Sequence, residues 1–367
     1  MGFNCGIVGL PNVGKSTLFN ALTSTAAAQA ANFPFCTIEP NVGRVAVPDP
    51  RLEVLAKIAG SKQIIPTQLE FVDIAGLVRG ASRGEGLGNQ FLANIRETDA
   101  IVQVLRCFED DNITHVENSV DPIRDAETIE TELMLADLDS LERRIVPLQK
   151  KAKSGEKDAK EWVAVMEPVL AALRDGKPAR TARPSDEDGM KIFRQLQLLT
   201  AKPVLYVCNV EESAAATGNA LSEKVAEMAR AQGAATVVIS AAIEAEVAQL
   251  DDPAEKQAFL EDLGLQETGL SRVIRAGFEL LHLISFFTVG PKEARAWTVR
   301  KGAKGPEAAG QIHTDFERGY IRAETIAYDD YVACNGEVGA KEAGKMRAEG
   351  KEYVVQDGDV MHFLFNV

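Results

Sequence analysis

The chain has 367 residues, a net charge of −14, 46% hydrophobic residues and 26% charged residues, the profile of an ordinary globular protein with room for two or three domains. No stretch approaches the roughly 20 apolar residues of a membrane span. The acidic excess argues against generic coating of nucleic acid, and no DNA partner is expected. Five cysteines, Cys5, Cys36, Cys107, Cys208 and Cys334, lack metal-ligand spacing and read as reduced thiols of a cytoplasmic protein.

The first predicted element is a short apolar strand, Phe3 to Val8. It runs straight into Gly9-Leu-Pro-Asn-Val-Gly14-Lys15-Ser16. This is G-x-x-x-x-G-K-S between a strand and a helix, the phosphate-binding loop. Gly9 and Gly14 let the backbone turn its N–H groups toward phosphate oxygens. Lys15 reaches the β- and γ-phosphates, and Ser16 offers a hydroxyl to Mg²⁺. The helix that starts at Thr17 adds its N-terminal dipole. The N-terminus has neither the basic nor the apolar region of a signal peptide, and a site so near Met1 leaves no room for a cleaved leader.

The segment from Ala31 to Asn41 contains Pro34 and Pro40 and reads as a loop. Within it Thr37 is the candidate second Mg²⁺ ligand, from a loop that senses the γ-phosphate. Gln68 to Asp73 is a strand running into Asp73-Ile-Ala-Gly76, D-x-x-G. Asp73 supports Mg²⁺ and the Gly76 amide meets the γ-phosphate. The Gly-rich run after Leu77 reads as a mobile switch. Ras-like enzymes place a water-orienting Gln where Leu77 stands, and leucine cannot polarise water. His115, on a polar loop after the strand 100–108, is the candidate replacement; a surface loop histidine with no such role fits the spacing equally well.

The strand from Lys202 ends at Asn209-Val-Glu-Glu212, where a base is read. Guanine-specific proteins carry N-K-x-D there, with the Asp taking guanine N1–H and the 2-amino group. Val210 and Glu212 replace the Lys and the Asp, which weakens the case for GTP without proving ATP. The last strand, 236–240, leads into a Ser240-Ala loop beside the base. Between the strands at 100–108 and 203–210, Met134, Leu138, Leu141, Ile145 and Leu148 repeat at helical period, as do Trp162, Val165 and Val169. They predict an antiparallel helical hairpin joined over 151–160. Over Leu141–Lys160 seven basic residues face three acidic ones; this basic tip is either an RNA-docking surface or a solvated helix end. From about His282 short strands around 285–291, 296–300 and 360–365 predict a small α+β domain with a basic first hairpin and no catalytic feature.

Taken together, G-L-P-N-V-G-K-S-T, F-P-F-C-T-I-E-P-N, D-I-A-G-L-V-R-G-A-S-R-G-E-G-L-G-N-Q-F-L and H-T-D-F-E-R-G-Y-I-R-A-E-T resemble the YchF, or Obg-like ATPase, family of P-loop proteins over essentially the whole chain. Ser82 departs from the His expected in many relatives. The resemblance implies an α/β, doubly wound P-loop G domain (1–124 and 199–280). It adds a coiled-coil hairpin insert (125–198) and a C-terminal α+β TGS domain of β-grasp fold (281–367). It implies ATP in preference to GTP, held by Asn12, Val13, Gly14, Lys15, Ser16 and Thr17. The adenine is expected near Asn209 and Val210, with Glu212 and Ser240 beside it, and Mg²⁺ on Ser16 and Thr37 with Asp73. Lys15, Gly76 and His115 are the expected catalytic set. Asn12 also resembles the asparagine with which some P-loop enzymes hold K⁺. Cys36, beside Thr37, is a candidate redox-sensitive thiol.

The expectation is a slow ATPase switch, a monomer. Its hairpin and TGS domain would dock on the ribosome, on the large subunit or the whole particle. The alternatives are a GTPase of the same architecture and an ATP-gated binding protein whose hydrolysis is incidental.

Overall fold

The computed structural model describes residues 3–30, 41–74, 87–110, 112, 113, 115, 119–250 and 252–366, with backbone alone at 25–30 and 87–90. The expectations for Cys36, Thr37, Gly76, Leu77 and Ser82 fall outside the described residues. Among the described residues no helix is long and apolar enough to cross a membrane.

In chain order, β1 (Asn4–Val8) precedes α1 (Lys15–Ala30), then β2 (Val42–Ala46), α2 (Pro50–Ala59), β3 (Gln63–Ile65) and β4 (Gln68–Asp73). Next come α3 (Leu87–Glu97), β5 (Ala100–Arg106), α4 (Pro122–Lys153), α5 (Lys157–Arg174) and α6 (Glu187–Gln195). They are followed by β6 (Val204–Asn209), α7 (Ala220–Gln232), β7 (Ala235–Ile239), α8 (Ala241–Val247), α9 (Pro253–Asp262) and α10 (Gly269–Leu280). The chain ends with β8 (Leu283–Val289), β9 (Glu293–Arg300), α11 (Gly305–Ile312), α12 (Thr314–Arg318), β10 (Tyr320–Ile326), α13 (Tyr328–Ala333), α14 (Glu337–Glu342), β11 (Arg347–Glu349) and β12 (Val360–Phe365). Local chemistry sets several boundaries. Asp121 caps α4 by accepting from the Ile123 and Arg124 amides, with Pro122 in the first turn. Gly60 closes α2 in the left-handed region at φ 64°.

The chain divides into two compact units. One comprises Phe3–Gly43 and Glu70–Val273, the other Arg44–Leu69 and Ile274–Val367. The second thus takes in an early segment, for which sequence reading made no provision, together with the C-terminal part.

The sheet of the first unit has the order β2-β4-β1-β5-β6-β7, and β4, β1, β5, β6 and β7 pair in parallel. This is the expected doubly wound sheet. Every residue of β5 and β6 is buried, which explains why both are apolar apart from Gln103, Arg106 and Asn209. Parallel pairing brings Val8, Asp73, Arg106, Asn209 and Ile239 to the same sheet edge, the edge where such folds bind ligands. The helical hairpin is α4 and α5. Leu141, Ile145, Met166, Val169, Leu170 and Leu173 form its core, with Met134, Leu138, Leu148, Trp162 and Val165 packed against it. Both helices run further into the connection than expected. Gly155, at φ 101°, turns the chain within residues 154–156.

The sheet of the second unit has the order β11-β10-β12-β8-β9-β3. It is mixed: β8 and β9 are antiparallel, as are β10 and β12, whereas β12 lies parallel to β8 and β3 parallel to β9. One face packs Leu52 and Leu55 of α2 on Phe287, Ile326 and Val360. The other packs Ala308 and Ala309 of α11 on Phe286, Val299 and Phe363. Strand β10 is an element that the reading of short apolar runs passed over, because its exposed Arg322 interrupts the pattern.

Candidate functional site

The loop between β1 and α1 is built from both ends. Val13, 1% exposed, anchors it in the core. A Cβ on Gly9 would stand 2.9 Å from Val13 Cγ2 and 3.0 Å from the Val104 carbonyl oxygen, so only glycine lets the loop leave β1 at this angle. Asn12 adopts φ 62° and Gly14 φ 95°; two left-handed residues turn the chain back over the helix start. The Leu18 amide donates to the Gly14 carbonyl at 3.0 Å, and α1 begins at Lys15 with no acidic residue in its first turn. Ser16 and Thr17 are exposed there. The first turn of the helix thus brings no carboxylate of its own to its N-terminus.

Lys15 Nζ is ion-paired to Asp73 Oδ1, with both side chains mostly buried. Asp73 is in register with Ile7 of β1, so strand pairing itself brings the D-x-x-G aspartate to the phosphate-loop lysine. The Asp73 amide donates to the Asn41 carbonyl at 2.8 Å. Ser16, Lys15 and Asp73 supply a hydroxyl, a cation and a carboxylate at one end of the sheet. This hard-oxygen set fits Mg²⁺ with a nucleotide phosphate.

Asn209, the last residue of β6, is buried and uses its amide twice. Nδ2 donates to the Val13 carbonyl at 3.0 Å and Oδ1 accepts from the Ala241 amide at 2.9 Å. A Cβ on Gly14 would stand 2.2 Å from Asn209 Nδ2, so the glycine and the asparagine require each other. Val210 is buried at 2% and its amide donates to the Ile239 carbonyl. Ser240 is buried and precedes α8. Glu212 is exposed.

His115 differs from the expectation of an exposed loop residue. It is 5% exposed, and its Nε2 lies 2.8 Å from Asp125 Oδ2 in the first turn of α4. Asp125 also accepts from Arg124 at 3.2 Å. The burial follows from the start of α4, which carries a carboxylate back under the loop. Two further groups were missed in the sequence. Arg106, 1% exposed, donates from its guanidinium to the carbonyls of Phe108, Asp110 and Ile113 at 3.1, 3.2 and 2.9 Å. It therefore holds the loop that leads to His115. The signal was present as a lone Arg closing the apolar run AIVQVLR. The other is a thiol pair. Cys107 is pushed above the usual thiol range, first by its hydrogen bond to Cys208 and then by burial. Both are free, as are Cys5 and Cys334 among the described residues.

Two family models match the chain. One, described as "50S ribosome-binding GTPase", covers residues 4–138. The other is the YchF GTPase C-terminal model, described as a protein of unknown function, and covers residues 283–366. The chain is 59% identical over 367 residues to "Ribosome-binding ATPase YchF" of Haemophilus ducreyi, with 100% of each chain covered. It belongs to the YchF family. The proteins of the same name from Escherichia coli O157:H7 and Bacillus subtilis are 59% and 55% identical, again over 100% of each chain. Among solved structures, the Schizosaccharomyces pombe YchF GTPase matches with a TM-score of 0.89 at 39% identity, covering 99% of this chain and 98% of its own. With this YchF membership the fold expectation stands as read: a P-loop domain of GTPase type and a YchF C-terminal domain on one chain.

Proposed function

We propose that this chain is a ribosome-binding ATPase, as its full-length relatives are named. The observation that carries the reading is the convergence of Lys15 and Asp73 at the neighbouring ends of β1 and β4. Lys15 and the loop amides would stabilise phosphate charge. Mg²⁺, when bound, supplies further charge neutralisation at the phosphates, and Ser16, Asp73 and Thr37 are the residues that would hold it. Gly76 would report the γ-phosphate. ATP is favoured over GTP because buried Val210 occupies the position of the guanine-class lysine and Glu212 that of its aspartate. Titration calorimetry with Mg²⁺ tests this. At least tenfold tighter ATP, about 1.4 kcal/mol, is expected, and tighter GTP overturns the base assignment in favour of a GTPase.

Ribosome contact is assigned to the α4–α5 tip and the C-terminal unit, and the protein is assigned to the cytoplasm as a monomer. Asn12 is assigned a K⁺ beside the phosphates; equal hydrolysis rates in Na⁺ and K⁺ remove that assignment. Cys36 is assigned a peroxide-sensitive role next to Thr37, which ends if Cys36→Ser is as peroxide-sensitive as the parent. A second reading, ATP-gated binding with incidental hydrolysis, is favoured by His115, which is buried against Asp125 rather than open to water. A His115→Ala protein that hydrolyses ATP more slowly yet keeps the parent's ATP-dependent binding to ribosomes would support it.

A further inference from the structure

Strands β8 and β12 are parallel neighbours that pair at one position, Val360 with Phe287. The ladder stops there, although β12 runs on to Phe365 and β8 turns away at Val289 into β9. A cavity of about 660 Å³ opens at the split, with Val289, Trp297, Phe316, Ile326, Met346 and Phe363 among its walls.

The direction of the β12 backbone follows from two bonds. The Phe287 amide donates to the Asp359 carbonyl at 2.8 Å, on the β8 side, and the Asn366 amide donates to the Gly319 carbonyl at 2.9 Å, on the β10 side. Backbone groups alternate between the two edges of a strand. Phe363 and Phe365 therefore turn their N–H and C=O groups toward the cleft, beyond the last paired position. The charged lining is mainly acidic: Glu293, Glu324 and Glu337 against Lys292 and His362. Among the described residues, the ion pair that Glu324 makes is a loose one, with Arg322 at 3.8 Å.

We propose that this cleft binds an extended peptide segment by strand addition to β12, and that the segment alternates apolar residues with Lys or Arg. The period of two sends every second side chain into the apolar cavity and the others toward the three carboxylates. The volume lies in the range of a built binding site. A nucleic acid would bring phosphates against those same carboxylates, which disfavours it here. The proposal stands apart from the nucleotide site and does not depend on the ATPase reading.

The test uses the full chain carrying Trp162→Phe, which leaves Trp297 as the one remaining tryptophan. Its emission is followed during titration with Ac-Val-Lys-Val-Lys-Val-Lys-NH₂, with the Glu-for-Lys peptide, and with oligouridylate. The Lys peptide is expected to give a saturable shift, and the Glu peptide to bind at least about tenfold more weakly. N-methylation of the amides in one register is expected to abolish binding, whereas methylation in the other leaves it intact. This control needs no change in the protein. Glu293→Lys combined with Glu337→Lys should reverse the preference between the two peptides. No saturable response to any peptide, binding indifferent to N-methylation, or displacement of the peptide by oligouridylate would each overturn the proposal.

Discussion

Asn209 is bonded to Val13 across 196 positions of sequence, its Nδ2 donating to the Val13 carbonyl at 3.0 Å, while its Oδ1 takes the Ala241 amide. One buried amide thus ties the phosphate-binding loop to the start of α8. Asn209→Ala strands a carbonyl and an N–H, at about 1–3 kcal/mol each. The expected outcome is a lower urea midpoint and at least about tenfold weaker ATP binding. Asn209→Asp keeps the acceptor and sets a carboxylate against the Val13 carbonyl, so its loss should be no smaller. An Asn209→Ala protein that binds ATP like the parent would remove the clamp.

The Lys15–Asp73 ion pair occupies two groups that nucleotide and Mg²⁺ would each claim. Lys15→Ala should abolish detectable ATP binding, because no other cation replaces it in the loop. Asp73→Asn should behave differently. It frees Lys15, so affinity for ATP without Mg²⁺ is expected to hold or rise, while the gain on adding Mg²⁺ shrinks. Calorimetry with and without Mg²⁺ separates the two, and an Asp73→Asn protein with an undiminished Mg²⁺ gain contradicts the assignment.

His115 must exchange Asp125 for water if it orients a nucleophile, since its Nε2 is engaged at 2.8 Å. His115→Ala is then expected to lower single-turnover hydrolysis at least about tenfold with little change in ATP affinity. It should also cost about 1–3 kcal/mol by depriving the buried Asp125 of a partner. Unchanged hydrolysis together with the stability loss assigns His115 to structure alone.

The hairpin tip carries exposed Lys150, Lys151 and Lys153 in the last turn of α4. Their acidic neighbour Glu156 lies 3.8 Å from Lys151, a loose contact. Reversal of these three to Glu should weaken co-sedimentation with ribosomes and flatten its salt dependence, while ATP hydrolysis without ribosomes stays at the parental rate. Equal co-sedimentation would move the docking surface elsewhere.

The Cys5 thiol is pushed up to about 12 by burial and then by the Asp99 charge, and Cys107 is raised as well. A folded pKa above the unfolded one gives stability that is complete below roughly pH 8.5, the unfolded thiol value, and lost as pH climbs toward about 12. Each thiol should contribute on the order of 1 kcal/mol of loss per pH unit in that window. Urea midpoints measured at about pH 8 and about pH 10.5 are expected to fall, and Cys5→Ala to shallow the fall. A flat profile contradicts it.

What could be read without coordinates was local. Lys15, Ser16 and Asp73 were legible because each stands in a short motif whose spacing already implies strand, turn and helix. The hairpin was legible because the helical period of Leu141, Ile145 and Val169 survives any tertiary context, and all three lie in its core. Three features were not legible, for one physical reason: each depends on residues that only folding brings together. From sequence Asn209 is expected at a base-reading position, whereas its bond to Val13 arises from strand order. His115 looks like an open loop residue until α4 delivers Asp125 beneath it. The segment Arg44–Leu69 offers no sign that β3 will pair with β9, Gln63 beside Glu293.

By itself, then, the sequence determined the phosphate-loop motif, the family and the helical hairpin, because backbone propensity and motif spacing act over a few residues. The tertiary structure alone decided which side chains are spent on holding loops, where His115 points its nitrogen, and where the second sheet splits at Val360 and Phe287. Those outcomes are set by pairings across the fold, and burial leaves each buried polar group only the partners that such pairings deliver.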